Sequence, residues 1–181
     1  MLVKTKRGGI RIQREQGSFF KRRNRMRYGC FVIGEAPKYY SGCIWKIEVA
    51  VKEDSDKFTG GLYNCIKDSF TIVKTSVKRL VKDINPENNF FKQNKFFHLN
   101  ISNLQAVKSG RSVGFALAVD LRSLVFSTGI LEDLAFTGEI SIHGDIWKVG
   151  GIKQKIEGAW SARIKTIFIP MENHKDVKSL S

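Results

Sequence analysis

Residues 64–84 carry Ile66, Phe70, Val73, Val77, Leu80, Val81 and Ile84 at steps of three and four. That period places all seven on one stripe of an α-helix, which needs a packed surface to lie on. Asp68, Thr75, Arg79 and Lys82 fall on the other face, with Lys74 and Lys78 along one flank. The helix is predicted to end before Pro86, and "NPENNFFKQNK" reads as a loop. Flanking segments read as strands. In "IWKIEVAV", 44–51, Trp45, Ile47, Val49 and Val51 share one face and Lys46 and Glu48 the other. In "FFHLNI", 96–101, Phe97, Leu99 and Ile101 point one way, His98 and Asn100 the other.

The second half continues the mixture. A polar loop, 102–111, leads to Ser112, and Val113 to Phe126 fit a largely buried helix. Residues 134–150 read as two short strands joined around "HGD", 150–162 as a Gly-Gly turn opening a helix, and "KTIFIP", 165–170, as a buried strand. Strands mixed with helices give an α/β or α+β class. At 181 residues this is one domain, or one domain with a tail. No apolar run reaches the ~18 residues of a membrane span, because Asp120 and Arg122 interrupt the best candidate; no membrane partner is expected. No G-x-x-x-x-G-K-[ST] pattern occurs, so these residues hold no P-loop ATPase.

Charge is concentrated at one end. The formal net charge is +14, and residues 1–28 supply +9 of it, with ten Lys/Arg against Glu15 alone. This basic arm has three readings: a solvated, disordered tail; a mitochondrial presequence; or a phosphate-binding arm giving weak DNA binding, with Phe19, Phe20 and Tyr28 interleaved. The expected division is therefore an arm over 1–28 and a folded domain over 29–181. Cys30, Cys43 and Cys65 are odd in number and form no C-x-x-C, and His98, His143 and His174 do not cluster. Neither a disulfide framework nor a metal site is expected, and a reducing, intracellular compartment is the default.

"GRSVG", 110–114, satisfies G-x-S-x-G, the nucleophile-elbow pattern of α/β-hydrolases. The hydrolase context fails: no buried strand feeds Ser112 directly, and too little chain follows for the acid and histidine. Ser112 is then either a helix cap or a nucleophile with another partner.

"KSGRSVG", "FTGEISIHGDIWKVGGIKQKIEGAW" and "IKTIFIPMENHKDV" together closely resemble the proteolytic domain of Lon proteases. The likeness covers about residues 29–178, strong from 108 to 176 and loose before. It implies an α+β fold of the Lon proteolytic type: a mixed sheet with packed helices, like ribosomal protein S5 domain 2. It also implies a Ser–Lys dyad. The family's G-P-S-A-G type segment is matched by "GRSVG" with Ser112, and its G-G-L-K-E-K type segment by "GGIKQK". The family base is the second lysine of that segment, 43 residues after the serine, which is Lys155; Lys153 falls where the family varies. Thr137 of "FTGE" matches a threonine beside the dyad, the alternative being a strand-end hydroxyl exposed to water. His98 sits at the first histidine of an I-H-V-H-V type strand and Asn100 at the second.

The chemistry agrees with the pairing. A serine hydroxyl needs a base to take its proton, and lysine serves only when neutral. Burial among apolar groups disfavours the charged amine, and Ile152, Ile156, Ala159 and Trp160 are placed to supply such surroundings. Amides at a helix start near Ser112 can hold an oxyanion, and Gly110 and Gly114 would let a substrate backbone approach. His98 and Asn100 are either substrate-side groups or surface polar residues. The departures are Ser109, where the family has an acid, Arg111, where it has proline or a small or acidic residue, and "WKV" for an L-P-I type stretch.

The resemblance implies a serine endopeptidase acting on unfolded or damaged proteins, ATP-dependent in full-length relatives through an ATPase module that here would be absent or act in trans. No cofactor is expected in these residues themselves. It further implies a homo-hexameric ring, and the arm points to mitochondrion or cytoplasm, the mitochondrial matrix included. The rival reading is a catalytically impaired Lon-like domain serving assembly or binding, or a fragment of a full-length enzyme.

Overall fold

A computed structural model of the chain describes residues 2–6, 9–13, 28–33, 41–102, 110–131 and 133–180, with side chains from residue 42 onward. Its strands are β1 (Leu2–Lys6), β2 (Gly9–Gln13), β3 (Tyr28–Ile33), β4 (Ser41–Lys52), β5 (Lys57–Thr59), β6 (Phe96–Ile101), β7 (Leu134–Phe136), β8 (Glu139–Ile140), β9 (Ile146–Trp147) and β10 (Thr166–Phe168). Its helices are α1 (Asn64–Ile84), α2 (Gly114–Val125), α3 (Ile152–Ser161) and α4 (His174–Lys178), with 3-10 turns at Arg111–Val113 and Met171–Asn173.

Among the described residues eight strands form one mixed sheet in the order β2-β1-β10-β7-β3-β4-β6-β5, and β8 and β9 form a separate hairpin. β10, β7 and β3 run parallel; β4 runs antiparallel to both β3 and β6, and β5 runs parallel to β6. The carboxyl ends of β5, β6, β3, β7 and β10 therefore share one edge of the sheet.

Strand alternation splits the core in two. Trp45, Ile47 and Val49 of β4, Phe97, Leu99 and Ile101 of β6, and Leu134 and Phe136 of β7 pack under α1 and α2. Ala135 of β7 and Ile167 of β10 face the other way, packing with Ile152, Ile156 and Ala159 of α3 and Val177 of α4. Helices thus cover both faces of the sheet, and β7 is buried on each side.

α1 buries Ile66, Phe70, Val73, Val77 and Val81 as its period demands. Leu80 and Ile84, on the same apolar stripe in the sequence, stay 40% and 55% exposed. Leu80 lines an open cavity between α1 and α2, and Ile84 is the last residue of α1. The span 134–150 holds three strands where two were expected. β7 joins the large sheet, and only β8 and β9 form the hairpin around "HGD". Ser141 organises that turn: its hydroxyl donates to Asp145 Oδ2 at 2.9 Å and accepts from the His143 and Asp145 amides at 3.1 Å.

Parts of the basic arm are described as strands. Residues 2–6 and 9–13 pair with each other, and β1 pairs antiparallel with β10. "GIRIQ" alternates apolar and polar residues, as a strand requires. Residues 14–27, with Phe19 and Phe20, lie outside the described residues, as does Ser109.

Candidate active site

Ser112 sits at the centre of the 3-10 turn that feeds α2, half-buried. It is not the side-chain cap of the helix. The position preceding α2 is Val113, and no side chain caps it. What holds Ser112 is its main chain. Its carbonyl accepts from the Gly138 amide at 2.9 Å and from the Thr137 hydroxyl at 3.4 Å, while the Phe115 amide donates back to the Gly138 carbonyl at 2.9 Å. The turn is thereby stitched to the carboxyl end of β7.

Thr137 is fully buried, so the water-exposed alternative for it does not hold. Its amide donates to the Phe168 carbonyl at 3.0 Å, continuing the β7–β10 ladder one residue further. By strand alternation it shares the face of Ala135, the face covered by α3.

Lys155 lies in the first turn of α3 and is 2% exposed. Ile152, Ile156 and Ala159 are buried on the same helical stripe, whereas Lys153, also in α3, is exposed. Trp160, expected near the lysine, is 49% exposed and contributes no shelter. It falls one residue off the stripe. α3 is fixed on the sheet by a glycine contact: a Cβ built on Gly158 would stand 2.3 Å from the Gly42 carbonyl carbon. The entrance to α3 is held by Asn173, whose side chain accepts from the Val149 amide at 3.0 Å and donates to its carbonyl at 2.8 Å.

The two site glycines serve different ends. Gly110 has φ 105°, a region side chains disfavour, and nothing among the described residues lies within 4 Å of where its Cβ would be. Its amide donates to the Cys65 thiol sulfur at 3.2 Å. Gly114 instead makes room for the protein itself, since a Cβ there would meet the Ile140 amide nitrogen at 3.0 Å. Arg111 faces Glu139 at 3.4 Å as an exposed ion pair beside the serine, a contact worth at most about 1 kcal/mol.

His98 and Asn100 lie on the sheet face away from α1 and α2, in a polar network of their own. The Thr59 hydroxyl contacts His98 Nε2 and donates to Asn100 Oδ1, both at 2.9 Å, and the Asn100 amide donates to Glu48 at 2.8 Å. Among the described residues no hydrogen bond joins His98 to Ser112 or Thr137. The Lys46 ammonium, 2.5 Å from Glu48, and the Asn100 amide hold the Glu48 carboxyl below the usual carboxylate range. A depressed carboxylate stabilises the fold above its unfolded pKa, and that contribution is lost as pH falls through the folded value. Lys46→Ala is therefore expected to move the Glu48 pKa upward, read by NMR titration. An unchanged value would remove Lys46 as the cause.

Sequence reasoning missed Gly138, Asn173 and the Gly42–Gly158 contact. Gly138 lies within "FTGE", but only a structure shows its amide bonded to the Ser112 carbonyl and its carbonyl to the Phe115 amide at the start of α2. Among the described residues no group of three or more His, Cys, Asp or Glu is arranged to hold a metal ion, and no helix is long and apolar enough to cross a membrane.

The family model for the Lon protease (S16) C-terminal proteolytic domain matches residues 19–181. The chain is 33% identical over 155 residues to "Lon protease homolog 1, mitochondrial" of Arabidopsis thaliana, covering 83% of this chain and 16% of that protein. It is 39% identical over 120 residues to "Lon protease homolog, mitochondrial" of Phaeodactylum tricornutum, covering 66% and 14%. With "Lon protease" of Fusobacterium nucleatum subsp. nucleatum it shares 32% over 122 residues, covering 67% and 16%. The chain thus spans about one-seventh of the length of these relatives. With an α+β fold that agrees with the match, the chain belongs to the Lon protease family and is a C-terminal proteolytic domain of it.

Proposed function

We propose that this domain is a serine endopeptidase that cuts unfolded protein segments with Ser112 as nucleophile and Lys155 as general base. The observation that carries the reading is a buried lysine on the sheet face shared by Thr137, whose hydroxyl donates to the carbonyl of Ser112. Taking an ammonium out of water disfavours its charged form, the condition a lysine base needs.

The Lys155 amine takes the serine proton as Oγ bonds to the scissile carbonyl carbon. It returns that proton to the departing amine nitrogen as the C–N bond breaks. Water then attacks the acyl-enzyme with the same base, releasing the acid and restoring Ser112. Amides of the 3-10 turn around Ser112 are the donors for the oxyanion. Thr137 orients the lysine, and Gly110 leaves room for a substrate backbone. His98 belongs to a separate network and supports the sheet near the substrate side.

Protein substrates, a six-membered ring, an ATPase module that unfolds substrate and a mitochondrial location enter with the family. Relatives named mitochondrial Lon homologues support the last.

A fluorophosphonate probe tests the nucleophile directly. Peptide mapping is expected to find the adduct on Ser112, with labelling lost in Lys155→Met. An unlabelled Ser112 in folded protein would leave an assembly or binding domain as the reading.

A further inference from the structure

A cavity of about 310 Å³ lies between α1 and α2, capped by the β8–β9 hairpin. That is at the lower end of the roughly 300–1,000 Å³ of ligand pockets. Its floor is mostly apolar, with Val77, Ala118 and Ile140 buried and Ile146 half-buried beside one buried hydroxyl, that of Ser76. Its mouth is cationic. Arg79 comes from α1 and Arg122 from α2, against one acid, Asp83, with His143 of the hairpin beside them.

The polar groups are already aimed. Arg79 Nη1 stands 2.7 Å from His143 Nδ1. A guanidinium only donates, so His143 Nδ1 is the acceptor of that contact. The Arg122 guanidinium is stacked 5.0 Å from the Phe126 ring centroid, which restricts its freedom at the rim. A mostly apolar floor with two arginines at its mouth matches a ligand that is aliphatic at one end and a carboxylate at the other.

We propose that this cavity binds a short aliphatic carboxylate, its chain on the floor and its carboxylate between Arg79 and Arg122. The chemistry has two sources: a medium-chain fatty acid, or the C-terminal residue of a short peptide. The second is what the proposed peptidase reaction releases. The cavity wall also forms the back of the serine turn. Ile140 packs on Gly114, and Ile146 and Phe115 pack on Gly138. An occupied cavity therefore bears on the segment that holds Ser112, a coupling that rests on the peptidase reading.

Binding is tested by calorimetry on Ser112→Ala protein, so that loss of peptidase activity does not touch the result. The ligands are octanoate, octanol, and a tripeptide ending in leucine with a free or an amidated C-terminus. Saturable binding is expected for octanoate or the free-acid tripeptide, at least about 10-fold tighter than for its uncharged analogue. Whichever acid binds tighter identifies the source. Arg79→Gln with Arg122→Gln should remove that 10-fold preference. Ala118→Phe, which fills the floor, should abolish binding while the protein still melts cooperatively; Val119→Trp at the wall replaces it if that variant does not fold. No saturable binding, equal binding of acid and analogue, or full binding to a filled cavity overturns the site. In active protein, octanoate that binds without changing the rate of casein cleavage overturns only the coupling.

Discussion

Cleavage of casein is expected to fall at least about 1,000-fold in Lys155→Met and in Ser112→Ala, with the double variant no worse than either single one. The size follows from roles that act as a unit. Without the amine the hydroxyl keeps its proton, and without the hydroxyl the amine has nothing to activate. Methionine retains the length and apolar body of the lysine, so the buried stripe of Ile152, Ile156 and Ala159 keeps its neighbour. Lys153→Met is the internal control. Lys153 is exposed on the same helix, and its loss should leave the rate near wild type. Activity that survives in Lys155→Met, or that falls equally in Lys153→Met, would break the assignment of the base.

Gly158→Leu is expected to destabilise the domain by about 3 kcal/mol, the upper part of the usual range for overpacking. At roughly 2–4 °C per kcal/mol for a chain of this size, Tm should fall by roughly 6–12 °C. The cause is backbone against backbone. A Cβ on Gly158 would lie 2.5 Å from the Gly42 carbonyl oxygen and 2.7 Å from the Cys43 amide nitrogen. No rotamer change relieves such a contact, so α3 must lift from β4. Because α3 carries Lys155, activity per folded molecule should fall too, which a mere loss of stability does not produce. Gly150→Ala is the comparison, since its Cβ meets nothing within 4 Å among the described residues. Removing a glycine there should be neutral or slightly stabilising. Equal melting of the two variants would dismiss the glycine contact as the anchor of α3.

Much of this architecture is readable locally because it is encoded locally. The three- and four-residue steps of 64–84, the alternation of 44–51 and 96–101, and the Gly-Gly start of α3 each depend on neighbours within a turn or two. Lys155 is legible by another route, the likeness of "GGIKQK" to the family's G-G-L-K-E-K type segment. It shares a helical stripe with Ile152, Ile156 and Ala159, and Lys153 does not. Where the local pattern is short, the sequence does not show the element. The short strands after residue 134 were merged, because two or three residues carry too little alternation to separate β7 from the hairpin. The hairpin at 2–13 was absorbed into a basic arm, because a pairing with β10 more than 150 residues away has no local mark.

The spelling of the chain thus carries the elements, through residue type and periodicity, and the segments "GRSVG" and "GGIKQK", whose likeness to the Lon family points to Ser112 and Lys155. The fold alone decides what surrounds them. Thr137 faces α3 because β7 is covered on both sides. Gly114 serves packing because Ile140 returns against it, and Gly138 becomes the clamp of the serine turn. Gly42 and Gly158 meet across 116 positions, and Arg79, Arg122 and His143 reach one cavity mouth from three elements. Contacts of that range are set by how whole helices and strands dock, and docking depends on every buried side chain at once.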